Sequence, residues 1–370
     1  MKSTGFFWDE KCFWHSGGNY ALTMPVGDFV QPLAAGGLPE SPETKRRLKN
    51  LMDVSGLLGE LATHSAPLAS RAELERVHPA AFLDEFKTLS DTGGGEMGRR
   101  TPFGQGGYEI AALSAGLTVH SLAAVMRGDL KNAYSLSRPP GHHCLPDFPN
   151  GFCLLANIAI AVEAAIANAP GARFVVLDWD VHHGNGTEAI FYDRDDVLTI
   201  SIHEDRNYPP DTGDTGARGE GAGLGHNINI PLPAGCGDAT YYYVMDKIVA
   251  PAIRAFNPDG IVVACGFDAS PFDPLAHMLV TADGFRQMTR RVMDLAAELC
   301  DDKLLLVHEG GYSEAYVPFC GHAVIAELAG SSTDAGDPLK LAVTGRQPNE
   351  RVQAFFRELV DEMAVEVGFT

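Results

Sequence analysis

Residues 174–187 read FVVLDWDVHHGNGT, an apolar run that breaks at once into Asp178, Asp180, His182 and His183. Continuous rather than alternating hydrophobicity marks a strand covered on both faces, the habit of a parallel sheet. Five more runs share this character: Ala133–Leu136, Val197–Ile202, Ile228–Leu232, Ile261–Ala264 and Leu304–Val307. Helical patterns lie between them. One begins near Glu109, places Ile110, Leu113, Leu117 and Val125 on a stripe and stops at Gly128. A second follows Thr281 as N-cap, with Phe285, Met288, Val292, Leu295 and Leu299 on one face, and a last spans roughly Asn349 to Val367 before Gly368. This alternation predicts one α/β domain over residues 1–370, a parallel sheet flanked by helices with its functional loops at the carboxyl ends of the strands. The first ~90 residues are less regular, and segment 91–107 (DTGGGEMGRRTPFGQGG) reads as a loop.

Composition bounds the answer. With 370 residues, 45% hydrophobic and 21% charged, the chain can bury a large core and is not disordered. Its net charge of −20 repels phosphate backbones and anionic headgroups, so nucleic acid and membrane surfaces are poor partners, whereas metals, polyamines and lysine-rich peptides are attracted. Asp9, Glu10 and Lys11 sit where a signal peptide needs an apolar core, and the most apolar stretch, Gly151 to Ala169, is interrupted by Asn157 and Glu163. Seven cysteines without close pairs suit neither a disulfide framework nor a zinc ribbon. A cytoplasmic protein is expected.

The chemistry-bearing residues gather at strand ends. Alternation past the run 174–177 is expected to send Asp178, Asp180 and His182 to one side, where carboxylate and imidazole two residues apart can grip one cation. The run Ile261–Ala264 leads to Asp268, which completes an Asp₂His set with open positions, the pattern of catalytic rather than structural zinc. Iron or cobalt would fit the same donors. After Ala133–Leu136 comes Ser137-Arg138-Pro139-Pro140-Gly141-His142-His143, a stiff turn presenting two adjacent imidazoles that can divide proton transfer and charge balance between them. After Leu304–Val307 comes Glu309-Gly310-Gly311-Tyr312, whose phenol can donate to a developing oxyanion. Asp and His also cap strands, and a lone tyrosine is more often core; the four strand ends together outweigh those alternatives. Gly104–Gly107 lacks the Lys and Ser/Thr of a phosphate loop, Ser114 has no nucleophile elbow, and Cys144 and Cys153 read as packing residues.

RPPGHH (138–143), GFC (151–153), DWDVHHGNGT (178–187), GFDAS with DPL (266–275) and EGGYS (309–313) together resemble the histone deacetylase family, in particular its bacterial histone deacetylase-like amidohydrolases related to class II. A weaker likeness at SPETKRRL (41–48) extends it across nearly the whole chain. The resemblance implies an arginase/deacetylase-like fold and one catalytic zinc ion held by Asp180, His182 and Asp268. It makes His143 the general base and acid, His142 its electrostatic partner oriented by Asp178, and Tyr312 the oxyanion donor. Asn185 would face His143 where class I enzymes carry Asp. The acyl-lysine tunnel would be lined by Gly151, Phe152 and Tyr208, with Leu275 at the rim. One potassium ion would use Asp178, the backbones of Asp180 and His182, and Ser201, and a second the backbone near Phe191 and Val197. Hydroxamate-type chelators would inhibit, and a homo-oligomer is left open. The family's substrate-gripping acidic loop residue has no clear counterpart; Asp91 and Glu96 in the 91–107 loop both match poorly.

Four readings follow. The first is a zinc amidohydrolase removing acetyl and other acyl groups from lysine-like amines. The second is the same chemistry on acylated polyamines, suited to the charge of −20, although the 91–107 loop is short for the insertion that such relatives carry. A two-metal ureohydrolase would need a carboxylate two residues past Asp268, where Ser270 stands. A catalytically dead binder would be expected to have lost Tyr312 or a ligand, and all are present.

Overall fold

The computed structural model describes residues 3–27, 29–31 and 37–369. Eight strands form one all-parallel sheet: β1 (Gly5–Phe7), β2 (Ala62–His64), β3 (Asn132–Ser135), β4 (Phe174–Asp178), β5 (Val197–Glu204), β6 (Asn227–Leu232), β7 (Gly260–Cys265) and β8 (Leu304–His308). Their order across the sheet is β6-β5-β4-β7-β8-β3-β1-β2. The six runs read from the sequence are six of these strands. β1 and β2, at the edge, were not anticipated: three residues each are too short to show a period. The 91–107 segment is likewise not all loop, since Gly94–Glu96 pairs antiparallel with Pro102–Gly104.

Every residue of β3, β4, β5, β7 and β8 is buried, as strands covered on both faces should be. The cover comes from α1 (Pro42–Ser55), α2 (Gly107–Met126), α3 (Asn157–Asn168), α4 (Ala282–Leu299) and α5 (Val317–Ala329), while α6 (Glu350–Glu366) packs on the helical segment Asp238–Val249. α2 packs on α3, α4 on α5, and α1 on α5. α4 starts where expected, with the Thr281 hydroxyl accepting from the Gly284 amide at 3.0 Å, and Asn349 caps α6 in the same way. α2 has the length and apolarity of a membrane span, but 72% of that window is buried inside the fold. Its buried hydroxyls find partners: Ser114 donates to the Pro139 carbonyl at 2.8 Å and Thr118 meets Ser137 at 3.1 Å.

The topology decides where a site can form. From β4 the chain runs outward to β5 and β6, then returns to β7 and moves the other way to β8. The crevice between the carboxyl ends of β4 and β7 is therefore the switch point of the sheet, where α/β folds bind ligands. Register makes the strand ends level: Ser135, Val307, Ala264, Asp178 and Ser201 lie on one rung.

Candidate active site

Four loops leave that rung into the crevice. β4 ends at Asp178, so Asp180 and His182 lie beyond the strand, and the pleat does not align them as the sequence had suggested. A tight turn does so instead: Asp178 Oδ1 accepts from the Asp180 amide at 3.0 Å, and Asp180 Oδ1 from the His182 amide at 2.9 Å. Across the switch point Asp268 accepts from the Val181 amide at 2.8 Å, and Asp180 Oδ2 from the Gly310 amide at 2.8 Å. His182 Nδ1 lies 3.0 Å from Asp180 Oδ1 and 3.1 Å from Asp268 Oδ2. One donor atom from each of the three residues falls within 4.8 Å of the others, and all three are buried. Two buried carboxylates facing one imidazole are costly unless a cation joins them. Burial and the neighbouring Asp180 charge push the Asp268 carboxyl up to about 6. The mixed N/O donor set is that of a catalytic divalent site, so the residues fit a metal ion.

The RPPGHH turn stands beside this triad. It is clamped from below: Glu309 Oε2 accepts from the amides of Gly141 (2.7 Å) and His142 (3.1 Å), and the fully buried Arg138 guanidinium holds Glu40 and the carbonyls of Cys12 and His15. His142 Nδ1 meets Asp178 Oδ2 at 2.9 Å, and His143 Nδ1 meets Asn185 Oδ1 at 2.8 Å. Burial alone would lower the His142 imidazole, but the carboxylates of Asp180 and Asp178 outweigh it and lift it to about 10. His143 is held well below the usual imidazole value, first by burial and then by the positive charge of His142. The two adjacent imidazoles, 4.0 Å apart between centroids, are thus shifted in opposite directions. With Nδ1 donating to Asn185, neutral His143 keeps a free lone pair on Nε2.

Tyr312 closes the site. Its amide donates to the buried Asp273 at 2.8 Å, and burial with the charges of Asp268 and Asp180 raises its phenol well above 10, so the hydroxyl stays a donor. A cavity of about 170 Å³ leads to these groups; Gly151, Phe152, Tyr208, Leu275, Tyr312, His143 and His182 line it. The Phe152 ring stands at 77° to Tyr312, and Tyr208 at 81° to His143. Gly151 is required there: φ is +51°, and a Cβ would sit 2.3 Å from His143 Cδ2. The Tyr208 hydroxyl does not remain free in the tunnel wall, since it donates to Asn150 Oδ1 at 2.5 Å.

Ser201 pairs with Asp178 across β4 and β5 and its hydroxyl meets His203 Nδ1 at 2.9 Å, while Phe191 ends the helix Asn185–Phe191 and Val197 opens β5. Asp91 pairs with Lys87, and Glu96 accepts from the Tyr20 hydroxyl and the Thr101 amide; neither lines the cavity. Burial raises the thiols of Cys144 and Cys153, keeping them protonated and packed. Five residues of the site escaped the sequence reading, Thr23 and Asn207 of the cavity wall among them. Glu309 and Asp273 sit inside quoted motifs but act on backbone amides, which no residue pattern announces. Arg100 reaches the cavity from the poorly patterned 91–107 segment.

Residues 38–328 match the histone deacetylase domain family. The chain is 56% identical over 369 residues to the histone deacetylase-like amidohydrolase of Pseudomonas aeruginosa, covering 99% of this chain and 97% of that one. It is 37% identical over 303 residues to a probable deacetylase of Archaeoglobus fulgidus, 80% of this chain and 84% of the relative. Among solved structures, the crystal structure of the HDA15 HD domain superposes with a TM-score of 0.81 at 30% identity, over 99% of each chain.

Proposed function

The chain belongs to the histone deacetylase family, and from that premise we propose that it is a zinc-dependent amidohydrolase, one catalytic domain over residues 1–370, that removes acetyl groups from the ε-amine of acyl-lysine or similar amines. The observation that carries the reading is the adjacent pair of imidazoles, His142 on Asp178 and His143 on Asn185, beside the buried Asp180–His182–Asp268 cluster at the end of an aromatic tunnel. A zinc ion on those three side chains would supply Lewis acidity to the amide carbonyl and make water acidic near neutral pH.

The chain's own groups do the rest. Neutral His143 takes the proton of the attacking water on Nε2 and returns it to the leaving amine nitrogen. Asn185, on Nδ1, holds the ring in the tautomer that leaves Nε2 free. His142, charged and fixed by Asp178, lowers the basicity of its neighbour, so that the acquired proton is readily given up. The Tyr312 hydroxyl donates to the oxyanion as the carbonyl carbon becomes tetrahedral. Phe152 and Tyr208 flank the alkyl chain and keep water from it. Potassium at Asp178, Asp180, His182 and Ser201, or near Phe191 and Val197, would buttress the same loops. Seven free, buried cysteines suit a reducing cytoplasm.

The test is acetate release from an acetyl-lysine peptide and from acetylated spermidine, with and without a hydroxamate. Chelator-sensitive release from the peptide is expected. Metal-replete protein that releases acetate from neither substrate would overturn the reading, and preference for the polyamine would move it to the second substrate class.

A further inference from the structure

Of the ten described residues lining the cavity, Arg100 alone carries a permanent charge. Its placement is enforced. Gly98 lies so close to Pro149 that a Cβ would come 1.8 Å from the Pro149 carbonyl oxygen. The Arg99 amide donates to that same carbonyl (3.1 Å), the Gly151 amide to the Arg99 carbonyl (3.0 Å) and the Phe152 amide to the Arg100 carbonyl (3.1 Å). The segment is thus tied to the residues that wall the tunnel. Arg100 itself is left-handed, φ +61°, a conformation that costs a non-glycine residue about 1 kcal/mol or more and persists only where neighbours over-determine it.

Its guanidinium carbon stands 5.1 Å from the centre of the Tyr208 ring, and that of Arg99 stands 5.6 Å from the same ring. Two like charges thus stand over one tunnel-wall ring, and among the described residues neither forms an ion pair with a carboxylate within 4.0 Å. Glu96, in the same hairpin, is engaged by Tyr20 and Thr101. A guanidinium held at a tunnel mouth, with no side-chain hydrogen-bond partner among the described residues, is a carboxylate receptor in geometry and charge.

We propose that Arg100 sets substrate choice, favouring acylated amines that bring a carboxylate to the tunnel mouth over cationic ones such as acylpolyamines and lysine-rich tails. The inference rests on the deacylase reading and names its substrate class. It opposes what the net charge of −20 would suggest. Distant carboxylates are screened beyond roughly 8 Å at physiological ionic strength, so the fixed cation at the mouth governs the bound substrate.

The experiment measures kcat/KM on three acetyl-lysine peptides identical but for flanking Glu, Gln or Lys, and on free Nε-acetyl-lysine beside its carboxamide. One half-exposed attraction and one repulsion, each worth a few-fold, predict a Glu-over-Lys preference of roughly five- to twenty-fold that shrinks with added salt. Arg100→Gln should bring the ratio towards one and Arg100→Glu should invert it. Should these variants fail to fold on their pinned backbone, the salt series on the wild type and Arg99→Gln still read the same ratio. If free acetyl-lysine outpaces its carboxamide, an α-carboxylate suffices; if it does not while the Glu preference holds, the flanking side chain is what is bound. A wild-type ratio at or below one, or a ratio unmoved in Arg100→Gln, overturns the proposal and leaves the deacylase reading standing. Absence of turnover on all three peptides overturns that reading and the proposal with it.

Discussion

Replacing Gly310 by alanine probes how tightly the candidate metal cluster is built. Gly310 does not have a left-handed backbone, so alanine brings no conformational strain and the effect is steric. The added Cβ would lie 2.1 Å from Asp268 Oδ2, 2.6 Å from Asp180 Oδ2 and 3.0 Å from the Tyr312 hydroxyl. Ordinary contact begins near 3.4 Å, so the Asp268 oxygen must retreat by about 1.3 Å. It cannot do so freely. Asp268 Oδ1 is held by the Val181 amide at 2.8 Å, and Asp180 Oδ2 by the amide of residue 310 itself. A misplacement of this size at reacting groups costs about 10²-fold in rate. Bound zinc should fall well below one per chain. Overpacking costs about 1–3 kcal/mol, which lowers the melting temperature by roughly 1–4 °C for a chain of 370 residues. Metal content by atomic emission, acetate release and a melting curve read the three effects separately. Gly59→Ala, with nothing within 4 Å of its Cβ, is the matched control and should be silent. Full metal stoichiometry with turnover within twofold of wild type in Gly310→Ala would refute the reasoning.

Tyr312→Phe removes one oxyanion donor and should cut turnover roughly 10²–10³-fold with metal content unchanged; equal turnover would sink the role. Asp180→Ala should lose both metal and activity, and stoichiometric zinc in the purified variant would disprove its place among the ligands. Glu40 is pushed up by burial but pulled further down by Arg138 and Lys45, so its carboxyl lies well below the usual range. The stability it contributes is therefore present above the unfolded-state value near ~4.3 and is lost as pH falls below it. Glu40→Gln, which strands two buried cations, should cost about 3–5 kcal/mol at pH 7. That gap to wild type, read from urea midpoints, should narrow below about pH 4.5; a gap constant down to pH 3 would contradict the assignment.

Several elements were legible because their causes are local. The unbroken apolar runs at 174–177, 261–264 and 304–307 cannot face water on either side, and each became a central strand. Thr281 and Asn349 cap helices through their own side chains, within three residues of the amides that they satisfy. The strands Gly5–Phe7 and Ala62–His64 were illegible for the opposite reason. Three residues carry no period, and they are strands because a neighbour in the sheet supplies their hydrogen bonds.

The site divides in the same way. Composition next to a strand end was enough to single out Asp178, Asp180, His182, Asp268, His142, His143 and Tyr312, since titratable groups crowd where an apolar run stops. Sequence also determined that the imidazoles are adjacent, and the family resemblance implied that Asn185 faces His143. Which side chains meet was decided only by the fold. The switch between β4 and β7 brings Asp268 against His182 across 86 residues of chain. Packing of the β8 loop sets Glu309 under the His142 amide, and three backbone hydrogen bonds carry Arg100 to the tunnel mouth. The physical reason is one of range. Backbone preference and hydrophobic period act over a few residues and are written in the sequence, whereas adjacency of remote side chains follows from burying the whole sheet at once.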